Sequence, residues 1–121
     1  MRKQQPSGPS LTVGPTDHCK GGTIRFGNYK SGEIFIEITE DDGAAFIATV
    51  ALVRRHGEHP GERGVWLKAY QDYEGLPEAL ARAGVLSITG RTYTAPDGEA
   101  VHAELTDLAF AHYTRAIQTI H

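Results

Sequence analysis

The sequence predicts an α+β fold: an antiparallel sheet of about five or six strands, a short inserted helix and a second helix at the C-terminal end. Three observations lead there. Apolar residues alternate with polar ones in several short runs, as in strands with one buried face. Gly, Pro and Asp clusters separate those runs. Two stretches, around Leu76 and after Thr106, place their apolar residues at helical spacing instead.

Residues 1–22, rich in Pro, Gly, Ser and Gln, hold too few apolar side chains to offset the entropy of ordering. They read as a flexible N-terminal arm with Leu11 and Val13 as its anchors, leaving residues 23–121 as a single domain. Thr23–Tyr29 reads as a strand with Ile24 and Phe26 inward, and Gly27-Asn28 as a bulge or bend. In Glu33–Thr39, Ile34, Ile36 and Ile38 alternate with Glu33, Phe35, Glu37 and Thr39. Glu40-Asp41-Asp42-Gly43 then makes a hairpin turn. Ala45–Val53 is apolar on both faces, which suits a central strand, and the polar stretch 54–64 is a loop.

Val65, Leu67 and Ala69 alternate with Trp66, Lys68 and Tyr70 in the next strand. Pro77 suits the first turn of a helix, where its missing N–H costs nothing. Leu76, Leu80 and Ala83 form its apolar stripe, Glu78 precedes Arg82 by one helical turn, and Gly84 stands at C′. Leu86–Thr94 and Glu99–Leu105 form a second hairpin across Pro96-Asp97-Gly98, with Val101, Ala103 and Leu105 inward and His102 and Glu104 outward. Thr106 or Asp107 caps a terminal helix whose apolar face carries Phe110, Tyr113, Ile117 and Ile120.

The 121 residues carry a formal charge of −3, spread unevenly. The first 20 residues sum to +2, the remainder to −5. A folded part of that sign argues against general phosphate-backbone binding, and no direct sequence-specific nucleic-acid binding is expected. Cys19 is the only cysteine, so no intrachain disulfide forms and a reducing compartment is the simpler setting. No apolar region follows Arg2 and Lys3, and no run nears the ~18 apolar residues of a membrane helix.

Lys68, Tyr70, Asp72, Tyr73 and Glu74 form the densest reactive group. There Lys68 could position an anion and Glu74 could act as a general base, against the simpler reading of a structural ion-pair cluster. His56 and His59 with His18 or Cys19 lack the fixed spacing of a metal site. No nucleophile elbow, P-loop or dinucleotide fingerprint is present. Neither catalytic residues, a metal nor a cofactor is therefore expected. Phe35, Trp66, Tyr70 and Tyr93 stand on strand faces beside Lys and Arg, as interface anchors do.

Three segments carry a resemblance: Gly27-Asn28-Tyr29 with Gly32 and the Ile-rich strand; Leu67-Lys68-Ala69-Tyr70 leading to Tyr73-Glu74-Gly75-Leu76; and Ala83-Gly84-Val85 with Thr89-Gly90-Arg91. In that order, over about residues 22–105, the chain resembles a family of small, uncharacterised proteins carried on bacterial plasmids and other mobile elements. That family usually enters the helix as Glu-Asn-Glu-Gly, whereas this chain has Gln71-Asp72-Tyr73-Glu74-Gly75. The resemblance implies a bacterial host cytoplasm. By analogy with other small acidic proteins of such elements, the expected function is stoichiometric binding to a host protein or nucleoprotein complex, inhibiting a CRISPR or restriction defence. The expected contacts are Trp66, Lys68, Tyr70, Asp72, Tyr73 and Glu74, with the acidic hairpin Glu40, Asp41 and Asp42 facing a basic groove. The alternatives are a small enzyme using Lys68, Tyr70, Asp72 and Glu74, or an oligomeric regulatory protein paired through the terminal helix.

Overall fold

A computed structural model describes residues 11–50, 61–95 and 98–118. Antiparallel strands β1 (Thr12–Val13), β2 (Gly22–Asn28), β3 (Ile34–Thr39) and β4 (Ala45–Ile47) form a four-stranded sheet in that order. Strands β5 (Gly64–Lys68), β6 (Leu86–Ala95) and β7 (Gly98–Leu105) form a three-stranded sheet in the order β5-β7-β6. Helix α1 (Leu76–Arg82) links β5 to β6, and helix α2 (Asp107–Gln118) follows β7. The fold is α+β with both helices where the spacing placed them, but its strands divide into two sheets rather than one.

The chain just after β4 joins the two sheets. Ala48 N–H donates to the Ile36 carbonyl at 2.8 Å, which keeps it on β3. Lys68 N–H then donates to the Ala48 carbonyl at 2.9 Å and Val50 N–H to the Trp66 carbonyl at 2.7 Å. Thr49 pairs with Leu67 in an antiparallel bridge. The run read as one strand over Ala45–Val53 thus changes partner partway along, and residues 51–53 lie outside the described segments. Thr49 is buried at the junction, its hydroxyl 2.9 Å from the Tyr29 hydroxyl and 3.4 Å from the Ile36 N–H that donates to it. Burial pushes the Tyr29 hydroxyl above its ordinary pKa, opposed by the Thr49 bond and assisted by the Glu33 charge.

Both sheets close on one core. Ile24, Phe26, Ile36 and Ile38 from the first meet Val65, Leu67, Ala103 and Leu105 from the second, with Leu76 and Leu80 of α1. Residues 11–22, read as part of the arm, lie along the sheet. Val13 is buried in the core, Leu11 packs against it, and Ile24 N–H donates to the Leu11 carbonyl at 2.9 Å. Gly27 pairs with Phe35, and a Cβ there would stand 2.5 Å from the Phe35 ring, so only glycine lets that ring cross the strand. The pairing runs in register through Asn28 with no bulge.

Helix ends follow their sequence signals. Gly84 has φ +80°, with Gly84 N–H donating to the Ala81 carbonyl and Val85 N–H to the Leu80 carbonyl. Those two bonds, with Val85 and Leu80 both buried, make a Schellman ending. Thr106 caps α2, its hydroxyl accepting from Ala109 N–H at 3.2 Å and donating to the Gly84 carbonyl at 2.8 Å. One side chain therefore ties the end of α1 to the start of α2. Along α2, Arg63 lies 4.3 Å over the Phe110 ring, and Asn28 Nδ2 donates to the Tyr113 hydroxyl at 2.8 Å. No described helix is long and apolar enough to cross a membrane.

Candidate functional site

Alternation along β5 sends Val65 and Leu67 into the core and leaves Trp66 and Lys68 on the opposite face. The register then builds a surface across three strands. Lys68 and Tyr93 both pair with Ala100, so they flank a small residue in one row, while Trp66 pairs with His102 in the next. Trp66 is only 2% exposed, yet it lies outside the main core cluster. Its neighbours are Tyr93, with ring centroids 4.9 Å apart, and His102, at 5.0 Å. The Arg91 guanidinium carbon lies 5.3 Å from the indole centroid. Aromatic pairs of this kind contribute about 0.5–1.5 kcal/mol each beyond area burial, so this face has a small ordered cluster of its own.

A bulge in β6 aims Arg91 at the indole. Pairing jumps from Ile88↔Ala103 to Thr92↔Val101, setting Thr89, Gly90 and Arg91 against a single partner position. Gly90 has φ +95°, which favours glycine. The Thr89 hydroxyl sits 2.8 Å from His102 Nδ1. His102, expected outward, is on the outer face but buried at 2% exposure, among Thr89 and Trp66. Burial pushes the Tyr93 hydroxyl above its ordinary pKa, with the Glu33 charge adding to the shift.

The chain beyond β5 turns toward the first sheet, where Tyr73 packs against the core with its ring centroid 6.0 Å from that of Phe46. Tyr70 starts a 3-10 turn over Gln71–Tyr73, closed by Tyr73 N–H donating to the Tyr70 carbonyl at 2.9 Å. Gln71 has φ +53°, the only described non-glycine residue in that region, a conformation that costs about 1–2 kcal/mol. The turn brings Tyr73 under the Lys68 ammonium, which lies 4.6 Å from the ring centroid, and edge-on to Tyr70 at 5.9 Å. Tyr70 in turn rests on Gly98, where a Cβ would fall 2.7 Å from its ring atoms.

The residues thus form two groups, Lys68 with Tyr70 and Tyr73, and Trp66 with Arg91, Tyr93 and His102, joined where Lys68 and Tyr93 flank Ala100. Asp72 and Glu74 are exposed, and among the described residues no hydrogen bond or ion pair joins either to Lys68. Glu74 reaches back to His18, with Nε2–Oε1 at 3.7 Å. The acidic hairpin belongs to the first sheet and is partly occupied. Glu40 accepts from Lys20 N–H at 2.9 Å and Asp42 accepts from Lys20 Nζ at 3.3 Å, while Asp41 is exposed. The Ala44 N–H, then Lys20, hold the Asp42 carboxyl below its ordinary pKa.

Sequence reasoning missed Arg91 and the burial of His102. The available signal was Gly90 within a strand run, the mark of a bulge. His56, His59, Arg54 and Arg55 lie outside the described residues. Among the described residues no three His, Cys, Asp or Glu gather as a metal site. No protein-family model, curated protein or solved structure matches this chain.

Proposed function

We propose that this chain is a non-enzymatic binding protein that holds a single-stranded nucleic acid, without sequence specificity, on the outer face of β5, β7 and β6. The carrying observation is two aromatic–cation groups side by side, Tyr93 and Arg91 against Trp66 and Tyr70 and Tyr73 with Lys68, joined where Lys68 and Tyr93 flank Ala100, with all three tyrosines partly exposed. Unpaired bases stack on aromatic rings whatever their identity, and nearby cations meet the phosphates.

The formal charge of −3 shapes the binding expected. Two cations on the face, Lys68 and Arg91, would give a salt slope of only about −1.4 for a single strand, so stacking supplies most of the affinity. The test is fluorescence anisotropy with a labelled oligothymidylate of about 15 nucleotides. The single strand should bind and the duplex should not. Tyr70→Ala and Tyr93→Ala, checked for folding by thermal melting, should each weaken binding roughly 5- to 150-fold, the equivalent of about 1–3 kcal/mol per stacked base. Binding that ignores both substitutions, or favours duplex, contradicts the reading.

A second reading gives the face a protein partner: a host defence complex of CRISPR or restriction type, bound stoichiometrically by a mobile-element protein. The acid surplus of residues 21–121 and the exposed Asp41 favour it. Co-purification of such a complex, lost on Lys68→Glu and indifferent to oligonucleotide, would support this reading over the first.

A further inference from the structure

Alternation along β7 puts Gly98, Ala100 and His102 in one line on its outer face. Each marks a row across the sheet. Trp66 pairs with His102, and at 2% exposure it is too covered to take a base. In the next row Lys68 and Tyr93 flank Ala100. In the last, Tyr70 lies over Gly98, in space that a Cβ 2.7 Å from its ring atoms would close. Tyr73 is engaged otherwise: the Lys68 ammonium lies 4.6 Å from its ring centroid, and Phe46 packs on it at 6.0 Å. Tyr93 and Tyr70, both partly exposed, are left as platforms.

We propose that the face holds two successive bases splayed apart, one on Tyr93 and one on Tyr70, with the phosphate between them at Lys68. It therefore favours single strands that stack poorly on themselves, rich in thymine or uracil, over adenine-rich ones. Resting on the nucleic-acid reading of the face, this adds a preference of composition and not a read sequence. Sheet geometry carries it. Two residues along β7 and one strand across separate the platforms by roughly 8 Å at the backbone, at about 3.4 Å per residue and about 4.8 Å between strands. Successive bases of a stacked strand lie only about 3.4 Å apart. A ring meets a base face only where the stack is open. A strand engaging both rings must give up the stack between neighbouring bases, which costs adenine runs more than thymine runs. Lys68 stands where the opened step presents its phosphate. It shares a row with Tyr93, and its ammonium lies against Tyr73, whose ring is 5.9 Å from that of Tyr70.

Fluorescence anisotropy with labelled oligothymidylate and oligoadenylate of equal length is the test. The wild-type protein should bind oligothymidylate roughly 3- to 10-fold more tightly, the modest preference that stacking strength produces. Tyr70→Ala or Tyr93→Ala leaves one platform and no need to open the step, so both affinities should fall and their ratio should approach unity. Lys68→Met should weaken both strands alike and keep the ratio, since a phosphate contact carries no base identity. Equal binding of the two strands by the wild-type protein, or tighter binding of oligoadenylate, overturns the splayed step, while the binding itself sustains the wider reading. A preference that survives both tyrosine substitutions also overturns it, because it then belongs to the strand and not to the two rings. Binding of neither strand defeats the splayed step and the wider reading together.

Discussion

Replacing Thr49 by valine is expected to destabilise the fold by about 1–3 kcal/mol, although the two side chains are nearly the same size. Valine keeps the branched shape, so no cavity opens, and the effect is confined to the hydroxyl. That hydroxyl bonds the Tyr29 hydroxyl at 2.9 Å, which can fall back on the Thr49 carbonyl at 3.3 Å. The loss there is one modest hydrogen bond, about 1 kcal/mol. Ile36 N–H, buried and donating to Thr49 at 3.4 Å, loses an acceptor as well, for up to about 2 kcal/mol more. Urea denaturation followed by Trp66 emission is a suitable assay, since the Trp66 carbonyl takes the Val50 N–H one residue along. With a slope of about 1–2 kcal/mol per molar urea, the midpoint should fall by roughly 0.5–3 M. Tyr29→Phe should cost about 1 kcal/mol, and the double variant less than the sum, because both remove the same bond. A neutral Thr49→Val, or additivity within about 0.3 kcal/mol, would refute the idea that this hydroxyl secures the junction of the two sheets.

Gly98→Ala should destabilise more than Gly43→Ala. Both positions have positive φ, at +151° and +93°, but only at Gly98 does a Cβ meet a ring, that of Tyr70 at 2.7 Å. The overpacking term is about 1–3 kcal/mol, and Tyr70→Ala should relieve part of it in a thermal-melt comparison. Thr106→Ala, removing the cap of α2 and its bond to Gly84, should cost about 0.5–2 kcal/mol in denaturant melts, with Thr106→Ser recovering most of it. Asp42 has a lowered pKa in the folded state, so it supports folding above the ordinary carboxylate range near about pH 4 and loses that support as pH falls through its lowered value. The melting temperature should therefore drop less on acidification in Asp42→Asn than in the wild type. The effect is small because the group is exposed.

Local signals in the sequence reached as far as local physics determines structure. Gly84 and Thr106 end and start helices through bonds within a few residues, and Ile34, Ile36 and Ile38 alternate because β3 has one buried face. The division into two sheets has no such signal. It arises where the Thr49 segment passes from Ile36 to Trp66 and Lys68, contacts 12 to 20 residues away in the chain. The same holds for the acidic hairpin, where Lys20 engages Glu40 and Asp42 from across the sheet. Within the reactive stretch, the spacing placed Lys68 and Tyr70 on one strand face. It could not show that Lys68 sits on the Tyr73 ring, that Glu74 turns to His18, or that Arg91 comes within cation–π distance of Trp66. Those pairings depend on the 3-10 turn and on a bulge, and a bulge changes direction without changing composition.

The most direct measurement is an NMR titration of the protein with oligothymidylate, following backbone amide shifts. If the outer face of β5, β7 and β6 binds single strands, the largest changes should gather at Lys68, Tyr70, Tyr73, Arg91, Tyr93 and Ala100, with α2 and the Glu40–Asp42 hairpin quiet. Changes centred on α2 or on that hairpin, or none at saturating oligonucleotide, would contradict it.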